Sequence, residues 1–140
     1  MLILSFIAFL ITQAVTQEQV SQVEFRTMTR GYQRSVVITA DSVFDITTGS
    51  DERIIRRATD STEWMAIQKT IAGIRLTDLM NLPSPSMSRA SDAARHSTII
   101  ITNNAGKEYS HGFDNENPHD MLRPLMKQIS SMISTEKTDR

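Results

Sequence analysis

The sequence predicts an α+β fold: an antiparallel sheet of about five to six strands with two helices packed on one face. Three observations predict it. Short segments of period-two hydrophobicity are joined by tight Gly, Asn and Asp turns. Two segments of helical period interrupt or follow them. The connections between strands are too short for parallel crossovers.

At 140 residues the chain is long enough for one core and too short for two ordinary domains. The first segment sets the compartment. Leu2 to Ile11 is an apolar run of about ten residues, the length of a signal-peptide core and well short of a membrane span. Thr12 and Ala14 supply a cleavage site, so residues 1–14 read as a signal peptide and 15–140 as the mature domain. The expected location is periplasmic or secreted, in a bacterial envelope, with no membrane span left after cleavage. There is no cysteine, which excludes disulfides, thiolate metal sites and a lipid anchor on Cys, and leaves stability to the core alone. The formal charge of −1 gives no electrostatic basis for binding nucleic acid.

Val23 to Thr29 alternates with Val23, Phe25 and Thr27 on one side, which is a strand. After Gly31, Arg34 to Thr39 and Val43 to Thr47 flank the turn Ala40-Asp41-Ser42 and form a hairpin. Gly49 to Asp51 turns the chain into a fourth strand, Ile54 to Arg57. Asp60 and Glu63 have the spacing of a capping box, so a helix starts there, with Trp64, Ile67 and Ile71 on its inward stripe. Gly73 is placed to end it in a left-handed turn. Leu76, Leu79 and Leu82 anchor a further turn that Pro83 closes, and Pro83 to His96 is a long polar loop.

Asn103-Asn104-Ala105-Gly106 is a hairpin signal between Ser97 to Thr102 and Lys107 to Phe113. If Asn104 to Gly106 is a three-residue loop, Asn103 pairs with Lys107, so that Ile101 faces Tyr109, Ile99 faces His111 and Ser97 faces Phe113; a loop one residue longer would set Ile100 against Tyr109 instead. Asn117-Pro118 reads as an N-cap followed by proline at the first helical position. Met121, Leu122, Leu125, Met126, Ile129, Met132 and Ile133 then form a wide apolar stripe. Pro124 inside that stripe should kink the helix or set Pro118 to Leu122 apart as a separate turn.

No phosphate loop, nucleophile elbow or His-Glu-x-x-His motif is present. The chain therefore reads as a non-enzyme with neither cofactor nor metal. His111 to Asp120 offers two imidazoles and three carboxylates, but without ligand spacing, and acids before a helix serve its dipole. Asp92, His96 and a loop serine supply the residue types of a hydrolase triad without fixing its geometry.

The stretch from Ile74 to Pro83, the loop with Ser91-Asp92-Ala93, the hairpin ending Tyr109-Ser-His-Gly-Phe-Asp114, and Pro118 followed by Leu122-Arg-Pro-Leu125 resemble a group of small bacterial domains. That group includes the emfourin-type protein inhibitors of thermolysin-like metallopeptidases. Thr29-Arg-Gly-Tyr32 stands where those domains often carry a glycine-rich turn. The resemblance implies a binding domain that inhibits a peptidase. On the residues themselves, a monomer with a protein partner is expected to bind through Arg89, Asp92, Arg95 and His96, with Asp114 and Asn115 beside them, because the two connections flank one hairpin and should share one end of the sheet. Arg89 and Arg95 would pair with a partner's carboxylates while Asp92 orients one of them. The alternatives are a small periplasmic hydrolase and an envelope-assembly protein that offers a strand edge.

Overall fold

The structure is a computed structural model that describes residues 18–86 and 94–134. The apolar run Leu2 to Ile11 and the cleavage site lie outside the described residues. Six strands form one antiparallel sheet: β1 (Val20–Thr29), β2 (Tyr32–Thr39), β3 (Ser42–Gly49), β4 (Arg53–Ala58), β5 (His96–Asn103) and β6 (Glu108–Asp114). Their spatial order is β4-β3-β2-β1-β5-β6. The first four strands make a meander, and the last hairpin is added on the far side of β1. Helix α1 (Ser61–Ala72) carries the chain between the two parts, and α2 (Arg123–Ser134) follows β6.

Strict alternation decides which face is covered. Val23 and Phe25 of β1, Val36 and Ile38 of β2, Val43 of β3, Ile99 and Ile101 of β5, and Tyr109 and Phe113 of β6 all point to one side. Together with Ile67 and Ile71 of α1 and Leu125, Met126, Ile129 and Met132 of α2 they form the buried core. Both helices therefore lie on the same face. Among the described residues the opposite face carries no helix, and it is largely polar around Glu24, which accepts from Arg26 Nε at 2.5 Å and from Ser35 Oγ at 2.9 Å.

The local signals explain where the elements begin. Asp60 accepts from the Thr62 amide at 2.9 Å and the Glu63 carboxylate accepts from the Asp60 amide at 3.0 Å, completing the capping box. The β5–β6 hairpin has the register expected from its turn: Ile101↔Tyr109, Ile99↔His111 and Ser97↔Phe113. Gly106 has φ +81 and its amide donates to Asn103 O at 2.9 Å.

Four expectations need correction. Gly73 has φ −81 and ψ −1, so α1 ends in right-handed geometry, its amide bonding back to Thr70 and Ile71 carbonyls. Trp64 is only partly buried and packs on the margin of the core. The loop after Pro83 ends one residue early, because His96 already opens β5 by pairing with Met28 and Asp114. Asn117 and Pro118 do not start the last helix. The Asn117 amide closes a turn onto Asp114 O at 3.1 Å, which holds Pro118 outside the helix. A 3-10 turn Asp120–Leu122 follows, capped by His119 Nδ1 accepting from the Met121 amide at 3.2 Å. Of the two outcomes that Pro124 allowed, a separate turn is the one observed. Proline then sits in the first turn of α2, where no amide is needed.

Candidate functional site

One end of the sheet gathers the predicted residues. There Thr29 pairs with Tyr32, Met28 with His96 and His96 with Asp114. Antiparallel pairing of β1 with β5 thus brings the β1–β2 turn beside the two connections that flank the last hairpin. Arg89 and Asp92 lie outside the described residues. The other four, Arg95, His96, Asp114 and Asn115, are brought together, each in a different role.

Asn115 fastens the two connections to each other. Its amide donates to Arg95 O at 2.8 Å, its side-chain oxygen accepts from the Arg95 amide at 3.3 Å, and its carbonyl accepts from the Ser97 hydroxyl. The backbone here is left-handed, with φ 55 at Asn115, a conformation asparagine tolerates better than most residues. Ser97 is buried and its hydroxyl also lies 2.9 Å from Thr27 Oγ1, which ties the clasp to β1.

Arg95 is held at its backbone and exposed at its side chain. Its guanidinium carbon lies 5.1 Å from the centre of the Tyr32 ring, a cation–π stack that limits the rotamers of both side chains. His96 is exposed next to it on the helix-free face, paired across the ladder with Met28, which is 48% exposed. Met28 and Tyr32 were not among the residues read from the sequence. What places Met28 beside His96 is the pairing of two strands nearly seventy residues apart, which leaves no local signal.

Asp114 is buried, and the Ser86 hydroxyl donates to its carboxylate. It serves to position the loop from inside. Of the residues that could supply a hydrolase triad, Asp92, Ser88 and Ser91 lie outside the described residues. Among the described residues no group of three His, Asp or Glu side chains converges to hold a metal ion. His111 lies on the core face, 5.9 Å centre to centre from the Phe113 ring. His119 is engaged as a helix cap.

Just inside the rim, on the helix-covered face, Arg34 and Asp45 form a bidentate pair at 2.8 and 2.6 Å. Asp45 is buried, and its hydrogen bond raises the Arg34 pKa above its ordinary value against the opposing effect of burial. Tyr32 and Glu116 add weaker attraction. The pair ties β2 to β3 beneath Tyr32. At the same end, Gly49 approaches Gly31 so closely that an added Cβ would lie 2.1 Å from the Gly31 carbonyl oxygen. The β1–β2 turn is thereby braced on two sides.

A groove of about 840 Å³ lies at the opposite end of the sheet, between the start of β1 and the end of α1, lined by Val20, Ile71, Ile74 and Leu76 together with Lys69 and Arg75. None of the predicted residues lines it. No helix among the described residues is long and apolar enough to cross a membrane. Compared with protein-family models, curated proteins and solved structures, the chain matches none.

Proposed function

We propose that this chain is an exported protein-binding module whose contact surface is the rim formed by Met28, Tyr32, Arg95 and His96, and that its partner is a peptidase of the thermolysin type. The observation that carries the reading is the Arg95 guanidinium, stacked on Tyr32 above a backbone that Asn115 clasps, with exposed Met28 paired to the adjoining His96 on the other face of the sheet end. Tyr, Met and Arg are the residue types that interfaces concentrate at their centres. A side chain already held in one geometry loses less freedom on association, so the same contacts yield more affinity. The identity of the partner rests on the resemblance to emfourin-type inhibitors, which act on such peptidases.

The test is a titration of a purified thermolysin-like metallopeptidase with the mature chain, reading residual peptide hydrolysis. The wild type inhibits. Arg95→Ala together with Met28→Ala weakens inhibition by about tenfold or more, the equivalent of roughly 1.4 kcal/mol, with an unchanged thermal midpoint. Absence of inhibition by the wild type at about 100 µM, far above the dissociation constants of specific protein complexes, rejects the peptidase. Inhibition that the double substitution leaves intact rejects the rim.

A further inference from the structure

The edge strand β4 carries an inference independent of the rim. It is the last strand of the sheet and β3 is its neighbour on one side, so every second residue turns its backbone polar groups away from the sheet. The parity follows from one bond. Just past the strand, the Thr59 amide donates to Asp41 O at 3.1 Å, and the register from Ser42↔Ala58 to Thr47↔Arg53 runs without a shift. Arg53, Ile55 and Arg57 therefore direct amide and carbonyl toward β3, while Ile54, Arg56 and Ala58 direct theirs outward.

The side chains in step with those outward groups are unusual for an edge. Ile54 is 75% exposed, and the Arg56 guanidinium is held over the Phe44 ring at 5.1 Å on the helix-free face. Glu52, exposed and directly before the strand, shares their parity. Edge strands commonly carry charges that repel a second strand. Here they repel in every neighbouring register but one. An antiparallel copy centred on Glu52, Arg53 or Arg56 sets that residue against its own like charge, and one centred on Ile55 opposes Arg53 to Arg57. Centred on Ile54, the same pairing sets Ile54 against the partner's Ile54 and Arg56 against the partner's Glu52, twice by symmetry.

We propose that β4 pairs with β4 of a second copy of this chain, antiparallel and centred on Ile54, giving a closed two-fold dimer with one continuous sheet. The pairing joins backbone groups at residues 52, 54 and 56 of both chains and brackets an apolar contact with two ion pairs. Such a contact is small, so the dimer is weak and its population rises with concentration.

Sedimentation of the mature chain over about 10 µM to 1 mM, the range in which small interfaces associate, reads the equilibrium. The wild type shifts from monomer to dimer across it. Arg56→Glu and Glu52→Arg each remain monomeric, because each sets like charges opposite one another. An equimolar mixture of these two variants forms a heterodimer, since one chain then presents two acids and the other two bases, and the doubly substituted chain dimerises by itself again. Ile54→Pro removes an outward amide while sparing the bonds to β3 and abolishes the dimer. A wild type that is monomeric at the highest concentration overturns the proposal. So does a mixture of the charge variants that stays monomeric, or a dimer indifferent to Ile54→Pro in a chain whose thermal midpoint shows it folded. An extended acidic peptide that adds to β4 of a chain that does not self-associate overturns it in favour of a foreign strand.

Discussion

Replacing Glu63 by Ala tests how the edge strand, the first helix and the last helix are joined. The Glu63 carboxylate accepts from Arg57 Nη1 at 2.8 Å and Nη2 at 2.9 Å while also receiving the Asp60 amide. Arg57 Nη2 in turn donates to Met132 O at 2.9 Å, so one guanidinium links β4 to α1 and α2. Loss of the reach-back half of the capping box costs about 1 kcal/mol. The two-bond ion pair, with side chains 28% and 23% exposed, contributes up to about 1 kcal/mol more. The expected destabilisation of about 2 kcal/mol corresponds to a fall in Tm of about 6 to 8 °C in a domain of this size. Glu63→Gln, which keeps an acceptor for the Asp60 amide, loses about half as much. Urea denaturation at pH 7 measures both. The pH dependence fixes the cause. Arg57 hydrogen bonding holds the Glu63 carboxyl below its ordinary value of 4.5, so the folded state gains from its ionised form above pH 4.5 and loses that gain as pH falls through the folded value. The gap between wild type and Glu63→Ala should close as the carboxyl protonates. Equal midpoints at pH 7, or a gap that stays undiminished while the carboxyl is titrated to its protonated form at low pH, would refute the argument.

Asp45→Ala leaves Arg34 partly buried without its bidentate partner and costs about 3 kcal/mol by urea denaturation; a change within about 0.5 kcal/mol, typical of exposed sites, rejects the pair as a stabilising element. Gly49→Ala, which places a Cβ against the Gly31 carbonyl at φ +120, lowers the thermal midpoint far more than Gly106→Ala, where φ is +81 but nothing lies within 4 Å; equal effects would show that the close turn contact is dispensable. Intact-mass measurement on exported material finds a chain that begins near Val15 or Gln17; the full-length mass in the cytoplasm would remove the compartment.

The parts of this fold that were legible in the sequence are those set by neighbours in the chain. The register of β5 on β6 follows from Asn103 to Gly106, because a short turn leaves few pairings and a slip would turn Ile99 and Ile101 to the wrong face. The capping box at Asp60 is equally local. The helix-free face, by contrast, depends on which strands adjoin. Nothing within β1 says that its second neighbour is β5 rather than β4, so Met28 could not be seen beside His96 on that face, nor Tyr32 against Arg95 on the covered one. The alternation of Ile54 with Arg56 is visible, but its exposure at an edge depends on strand order. Pro118 misled for a related reason: its dipeptide fits an N-terminus, yet the Asn117 amide closes a turn on Asp114 instead. Of the candidate residues, Arg95, His96, Asp114 and Asn115 could be placed near one another because they flank one hairpin, whereas the different arrangement of each, one stacked, one clasping and one buried, needs the packed loop.

Site-specific photo-crosslinking in the bacterial envelope, the location proposed for this chain, tests the rim most directly, because it requires no knowledge of the partner. A benzoylphenylalanine at Gln33, exposed and paired with Met28 at the sheet end, should yield a discrete adduct with one protein. The adduct should vanish when Arg95→Ala is added. The same probe at Met65, 64% exposed on α1, should yield none. An adduct at Met65 with none at Gln33 would place the contact on the helix layer and contradict the account.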